Sequence, residues 1–188
     1  MNIVNTSIAG VAIVEGQPYN DERGAFSRFF CDRELAQYMG DRRIVQINHS
    51  RTSAIGTVRG MHFQHSPHAE MKLVRCIRGR VWDVVVDLRA GSPTFLRWHA
   101  EELTPESSRM LVIPEGCAHG FQALETESEL LYLTTNFYEP AAEGGVRYDD
   151  PRLDIRWPLE VSVLSERDRL QALLPPEFAG LDITRTLR

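Results

Sequence analysis

An all-β fold, a sandwich, barrel or jelly roll, is what the pattern of this chain predicts. Three observations predict it. Short apolar or alternating runs recur at close spacing between residues 56 and 135. Turn residues separate them, as in Arg78-Gly79-Arg80 and in Arg89-Ala90-Gly91-Ser92-Pro93. Helical spacing is confined to two short stretches, 32–39 and 165–174. Many short strands with few helices between them read as packed or closed antiparallel sheets.

The elements follow in order. A mixed N-terminal stretch ends at Asp21-Glu22-Arg23-Gly24, a turn, ahead of an extended run over 25–30. Residues 32–39, DRELAQYM, carry Leu35, Tyr38 and Met39 at helical spacing, with Asp32 placed as N-cap. Residues 56–64, GTVRGMHFQ, alternate as a strand. Strict alternation sends Arg59 and His62 to opposite faces. Gly60 lies between them, and a glycine inside a strand often marks a bulge that re-aims side chains. A bulge would let both line one pocket, the cation holding an anion and the imidazole moving a proton, although this segment alone reads more simply as a surface arginine and a satisfied histidine. Strands over 71–77 and 81–88 flank a short hairpin loop at Arg78-Gly79-Arg80, and further strands cover 94–102, 109–113 and 129–135. Residues 148–158 read as loop, and 165–174 as a helix with Ser165 as N-cap. No repeat or linker divides the chain, so one domain over 1–188 is expected.

Composition narrows the function. At 188 residues, with 43% hydrophobic and 25% charged side chains, the chain is globular with a sizeable core. A net charge of -5 and the lack of a basic run argue against nucleic-acid binding. Any anionic ligand therefore needs a local cluster of cations. Cys31, Cys76 and Cys117 lie far apart without CxxC spacing, two of them in apolar surroundings, and read as reduced core thiols. There is neither a signal-peptide pattern nor an apolar run of membrane-spanning length, so a soluble cytoplasmic protein without membrane contact is expected.

Two chemistries compete for the histidines. His62, His65, His68, Glu70 and His119 are metal-ligand types, and residues 114–119, PEGCAH, resemble the second half-motif of the cupins, small jelly-roll barrels that often bind a metal. The first cupin half-motif, however, wants two histidines two residues apart. Here the spacing is three, and Ser66-Pro67 interrupts any strand between His65 and His68. The other chemistry is proton transfer on an anionic substrate, which needs a base, an acid on the opposite face, an oxyanion stabiliser and cations. His62 is the candidate base. Lys72 falls on one strand face with Val74 and Cys76, which suits a cation held in a pocket, although an edge-strand lysine that discourages aggregation has the same pattern. Tyr132 shares a face with Leu130 and Thr134 and is the candidate acid, although a core tyrosine has the same pattern.

Segments throughout the chain carry a resemblance that decides between them. They are DERGAF (21–26), QINHS (46–50), VRGMHFQ (58–64), residues 71–95, LVIPEGCAHGF (111–121), LYLTTNFYEP (131–140), DDPRLDIRWP (149–158) and SERD (165–168). In this order they resemble the dTDP-4-dehydrorhamnose 3,5-epimerase family. The resemblance implies a cupin-like jelly-roll barrel with short peripheral helices, one near the C-terminus. It also implies a homodimer, no metal and no cofactor. The implied substrate is a nucleotide-diphosphate sugar with a ketone at C4. The resemblance makes His62 the base, Asp168 its carboxylate partner, Tyr132 the acid across the ring and Lys72 the group facing the keto oxygen. It makes Arg23 and Arg59 the cations for the diphosphate. Phe26, Gln46, Asn48, His119 and Tyr138 match other pocket positions. It further implies an extended N-terminal strand that pairs with a partner's sheet, and Phe26, Phe29 and Phe30 are apolar surface that needs covering.

Three departures stand out. Arg28 occupies a position where the family carries Glu, a charge reversal in the nucleotide region. Met61 for Leu and Arg167 for Lys are milder. The reading is therefore an isomerase that inverts C3, C5 or both on a nucleotide-linked 4-keto-6-deoxy sugar, with Arg28 among the substrate-binding residues. The alternatives are an epimerase of one centre on a different nucleotide sugar, a metal-dependent cupin enzyme, and a non-catalytic sugar-nucleotide-binding relative.

Overall fold

The computed structural model describes residues 1–183. Its strands are β1 (Asn2–Asn5), β2 (Ala12–Glu15), β3 (Tyr19–Asp21), β4 (Gly24–Phe26), β5 (Gln46–Thr52), β6 (Val58–Gln64), β7 (Lys72–Arg78), β8 (Val81–Asp87), β9 (Trp98–Leu103), β10 (Arg109–Ile113), β11 (Cys117–Ala123), β12 (Ser128–Thr134) and β13 (Glu143–Gly145). Two one-turn helices, α1 (Ala36–Met39) and α2 (Glu166–Arg169), lie outside the sheets. One sheet runs β1-β2-β10-β7-β12-β5 and the other β13-β6-β11-β8-β9, while β3 and β4 form a separate hairpin. The strands named in the register pair antiparallel. From β9 to β12 the chain changes sheet at each step, which makes the architecture a jelly roll.

Alternation builds three apolar layers. Val74, Cys76, Leu111 and Leu130 of the first sheet meet Val81, Val85, Leu103 and Phe121 of the second to form the layer between the sheets. The outer face of the first sheet is covered around Leu35 and Met39, that of the second by the segment carrying Val146, Leu153 and Leu174. Each such buried side chain contributes roughly 1.5–3 kcal/mol relative to exposure. The segment from Val146 to Leu174 thus roofs the second sheet.

Several expectations need correction. Arg78-Gly79-Arg80 is not a hairpin loop, since β7 and β8 lie in different sheets. It is a corner, with Gly79 at φ +70° and a Cβ there only 2.9 Å from the Ser128 Cα. The helix expected over 32–39 is only the four residues of α1, and its N-cap position is Leu35, with no side-chain hydrogen bond. Asp32 does not cap it. What holds α1 is the burial of Leu35 and Met39, not intrinsic helix stability. The helix at 165–174 also shrinks to four residues. Ser165 caps it as expected, Oγ accepting from the Asp168 N–H at 3.0 Å. It stops because Leu174 turns into the core and gives its N–H to Asp150. The strand expected from residue 94 begins at Trp98, because the Phe95 and Arg97 N–H groups close turns onto Ser92 and Thr94, and Leu96 between them takes a positive φ of 60°. Strands β5 and β11 escaped a pattern search. One face of β5 is polar toward a cavity, and β11 is buried throughout, so neither alternates in hydropathy.

Candidate active site

One open end of the barrel holds a cavity of about 720 Å³. Strands β5, β7 and β12 wall it on one side, β6 and β11 on the other, and residues 163–168 close its flank.

The bulge in β6 builds the first wall. His62 pairs with His119 and Arg59 with Phe121, so three steps on β6 oppose two on β11. Gly60 takes up the extra residue at φ +137°, and a Cβ there would lie 2.5 Å from the Gly120 Cα. With that residue inserted, Arg59 and His62 both line the cavity. Asp168 arrives from α2, fixed by the Ser165 cap. Its Oδ1 is 2.6 Å from His62 Nε2, and its Oδ2 accepts from the Gly60 N–H at 3.3 Å. Burial acts to raise the Asp168 carboxyl, but the His62 contact and the Gly60 and Ser165 hydrogen bonds outweigh it and hold it below its ordinary value. Asp168 is therefore ionised at neutral pH. An ionised carboxylate at Nε2 keeps the proton on that nitrogen and leaves the Nδ1 lone pair free to act as a base.

The facing wall carries Tyr132, whose hydroxyl is 3.3 Å from Ser50 Oγ. Its ring meets His119 edge-on, centroids 5.8 Å apart. Burial pushes the Tyr132 hydroxyl up, so it keeps its proton at neutral pH. His119 is itself held by Asp83, at 2.9 and 3.0 Å, and burial raises that carboxyl. Lys72, at the start of β7, lies 3.0 Å from Glu70. Arg59 is anchored by Nε to Thr52 at 3.1 Å and by one terminal nitrogen to the Arg51 carbonyl at 3.2 Å. Gln46 and Asn48 bond to each other at 3.1 Å, and the Tyr138 hydroxyl donates to Glu143 at 3.0 Å.

Nine of the twelve expected site residues thus gather in one cavity: His62, Tyr132, Asp168, Lys72, Gln46, Asn48, Arg59, His119 and Tyr138. Arg23, Phe26 and Arg28 do not. They sit on or after the β3–β4 hairpin, with the Arg23 side chain 84% exposed against Asp21 and Arg28 paired with Glu34 at 2.6 Å. Sequence reasoning gave no cavity role to Ser50, Glu143 or Arg167, and weighed Glu70 only as a metal-ligand type; all four also line it. Spacing held part of the signal, since Ser50 lies two residues after Asn48, and Glu70 two before Lys72. Arg167 donates to Glu143 at 2.8 Å and approaches His62 Nε2 at 3.4 Å. Among the described residues no three His, Cys, Asp or Glu side chains gather to hold a metal ion. His65 and His68 lie in the segment after β6, where His65 packs edge-on against Phe63.

Residues 5–175 match the family model described as dTDP-4-dehydrorhamnose 3,5-epimerase. The chain belongs to that family. Among its epimerase relatives is the dTDP-4-dehydrorhamnose 3,5-epimerase of Shigella flexneri, 43% identical over 89% of this chain and 93% of the relative. The dTDP-4-dehydrorhamnose 3-epimerase of Streptomyces niveus is 41% identical over 93% of this chain and 84% of the relative. A crystal structure of the dTDP-6-deoxy-D-glucose-3,5-epimerase of Legionella pneumophila, in complex with dTDP-4-keto-L-rhamnose, superposes with a TM-score of 0.86. That structure is 41% identical and covers 92% of each chain. The cupin-like jelly roll of this epimerase family is the fold described above.

Proposed function

We propose that the protein is a metal-independent isomerase that epimerises a dTDP-linked 4-keto-6-deoxy sugar at C3 and C5. The observation that carries this reading is His62 on one sheet, paired with Asp168 from α2, facing Tyr132 on the other sheet, across a cavity with cations at its wall.

The chemistry follows from those positions. A ketone at C4 acidifies the hydrogens on C3 and C5. His62 Nδ1 takes one of them, and the C–H electron pair moves to the C4 oxygen to give an enolate. Lys72 donates to that oxygen, a charge-assisted hydrogen bond in a site partly shielded from water. Asp168 stabilises the imidazolium that forms. Tyr132 then delivers its proton to the carbon from the opposite face, which inverts the centre. Arg59 holds the diphosphate, and Gln46, Asn48, His119 and Tyr138 complete the pocket.

Arg23, Phe26 and Arg28 enter this reading through a second copy of the chain. The protein is a homodimer in which the β3–β4 hairpin reaches the partner's pocket. Phe30 packs against the outer layer and Phe29 stacks on Arg75 at 3.8 Å, but Phe26 remains 77% exposed. Ile47 on β5 is 62% exposed as well, so apolar surface remains to be covered. Neither nucleic acid nor membrane is a partner, and no helix among the described residues is long and apolar enough to cross a bilayer. A cytoplasmic location fits the three free cysteines. One catalytic domain spans the chain, and no cofactor is required.

A second reading, inversion of C3 alone, is favoured by one observation: a relative as similar as 41% is a 3-epimerase. The test for both is proton NMR of dTDP-4-keto-6-deoxy-glucose in deuterated buffer. Wild type should exchange and invert both centres, and exchange at C3 only would select the second reading. His62→Ala should abolish exchange. Tyr132→Phe should still exchange but return the proton to the original face, so deuterium enters with little inversion. Unchanged exchange in His62→Ala would remove the base, and full epimerisation by Tyr132→Phe would remove the acid.

A further inference from the structure

We propose that Glu70 is a positioning residue that aims the Lys72 ammonium at the substrate's keto oxygen. The proposal rests on the epimerase reading and deepens it.

Lys72 has a flexible four-carbon stem, and the enolate oxygen it must meet occupies one place. Something has to fix the ammonium. Glu70 precedes it by two residues, and both side chains line the cavity at 10% and 14% exposure. One carboxylate oxygen of Glu70 lies 3.0 Å from Lys72 Nζ. The other accepts from Gln64 Nε2 at 3.3 Å. Gln64 is itself buried and tied to the backbone. Its two Nε2 protons also serve the carbonyls of His68 and Phe137, at 2.9 and 3.1 Å, so the Glu70 contact is the longer arm of a shared hydrogen bond, and its Oε1 accepts the Glu139 N–H at 2.7 Å. Glu70 is therefore braced against three backbone groups through one buried amide. Lys72 Nζ also approaches the backbone carbonyl of His62 at 3.5 Å. An ammonium has three N–H donors. Glu70 and the His62 carbonyl occupy two, and one is left for a ligand oxygen.

A carboxylate beside this ammonium also opposes it electrostatically, since its charge weakens the pull on an enolate. Aim and charge thus act in opposite senses, and substitution separates them. Glu70→Gln keeps one acceptor oxygen for Lys72, removes the charge and gives up the contact with Gln64 Nε2, which an amide NH2 cannot accept. Glu70→Ala removes both. Glu70→Asp keeps the charge but falls short by one methylene.

The experiment measures kcat and KM on dTDP-4-keto-6-deoxy-glucose for these variants in the full-length protein, and again in a Lys72→Met background. Glu70→Ala should lower kcat roughly 10- to 100-fold, the scale of a misplaced catalytic group, with KM changed by less than about threefold. Glu70→Asp should lose in the same way, and it keeps the test open if the alanine variant fails to fold. Glu70→Gln should restore part of the kcat that Glu70→Ala loses, because one acceptor for Lys72 remains. With Lys72 removed, Glu70→Ala should cost no more than about twofold, because the two residues act as one unit. An equal loss in both backgrounds would overturn the proposal, as would a Glu70→Gln as slow as Glu70→Ala, or wild-type kcat in Glu70→Asp. Any of these would leave the epimerase reading intact as long as His62→Ala abolishes exchange. A Lys72→Met of wild-type kcat would overturn the proposal together with the role given to the lysine.

Discussion

Replacing Asp168 by Asn keeps the shape of the site and removes one charge, so it isolates what the carboxylate does for His62. The His62–Asp168 contact is 2.6 Å long, and the Asp168 side chain is 3% exposed, so water cannot replace it. A hydrogen bond to a charged group is worth about 1.5–3 kcal/mol, which converts to roughly 10- to 150-fold in rate if it acts fully on the imidazolium. Two further effects add to this. The asparagine amide can donate to Nε2, which forces the proton onto Nδ1 and blocks the base. Arg167, 3.7 Å from Asp168 and 3.4 Å from His62 Nε2, would then face the imidazolium with no carboxylate between. The equivalent change in a serine protease triad costs about 10⁴-fold and sets the upper end. The expected outcome is a fall in kcat of about 100-fold or more, with KM changed by only a few fold. The assay is deuterium exchange at C3 and C5 followed by NMR, beside steady-state turnover, with thermal melts to confirm folding. A folded Asp168→Asn protein that retains more than about a tenth of wild-type kcat would refute this account of the dyad.

The same carboxylate makes a pH prediction. Its folded value is lowered, so its contribution to stability is complete above the unfolded value near 3.9 and is lost as pH falls through the lowered one. Urea midpoints of wild type and Asp168→Asn should therefore differ at neutral pH and converge below about pH 4, and a gap that widens on acidification would contradict the sign. Gly60→Ala places a Cβ 2.5 Å from the Gly120 Cα at a positive φ, so it should destabilise by ~3 kcal/mol or more, about 6–12 °C in melting temperature. A melt within about 2 °C of wild type would mean that the bulge does not need glycine. Arg28→Glu should change the ranking of dTDP, UDP, CDP and GDP in calorimetry, and identical rankings would remove the nucleotide role of Arg28. Light scattering at micromolar concentration should report a dimer, and a stable monomer would remove the partner's hairpin from the pocket.

The sequence by itself determined the β-rich class, most of the central strands and the helix cap at Ser165. These depend on local signals: alternation in 71–77 and 81–88, turn residues between them, and the Ser165 cap that places Asp168. Gly60 belongs to this group too, since one glycine between Arg59 and His62 already implied the bulge that the register shift displays. Tertiary structure decided the rest. It turned the 78–80 loop from a hairpin into a corner, because β7 pairs with β10 and β12, whereas β8 pairs with β11 and β9. It cut both helices to one turn, because burial of Leu35, Met39 and Leu174 fixed where the chain had to go. It brought His62, Tyr132 and Asp168, separated by up to 106 residues, into one cavity. It also left Arg23, Phe26 and Arg28 outside that cavity. Local sequence can specify a face or a turn, because those depend on neighbours a few residues away. Which faces meet across a barrel depends on strand pairing between distant segments, and that is settled only when the whole core closes.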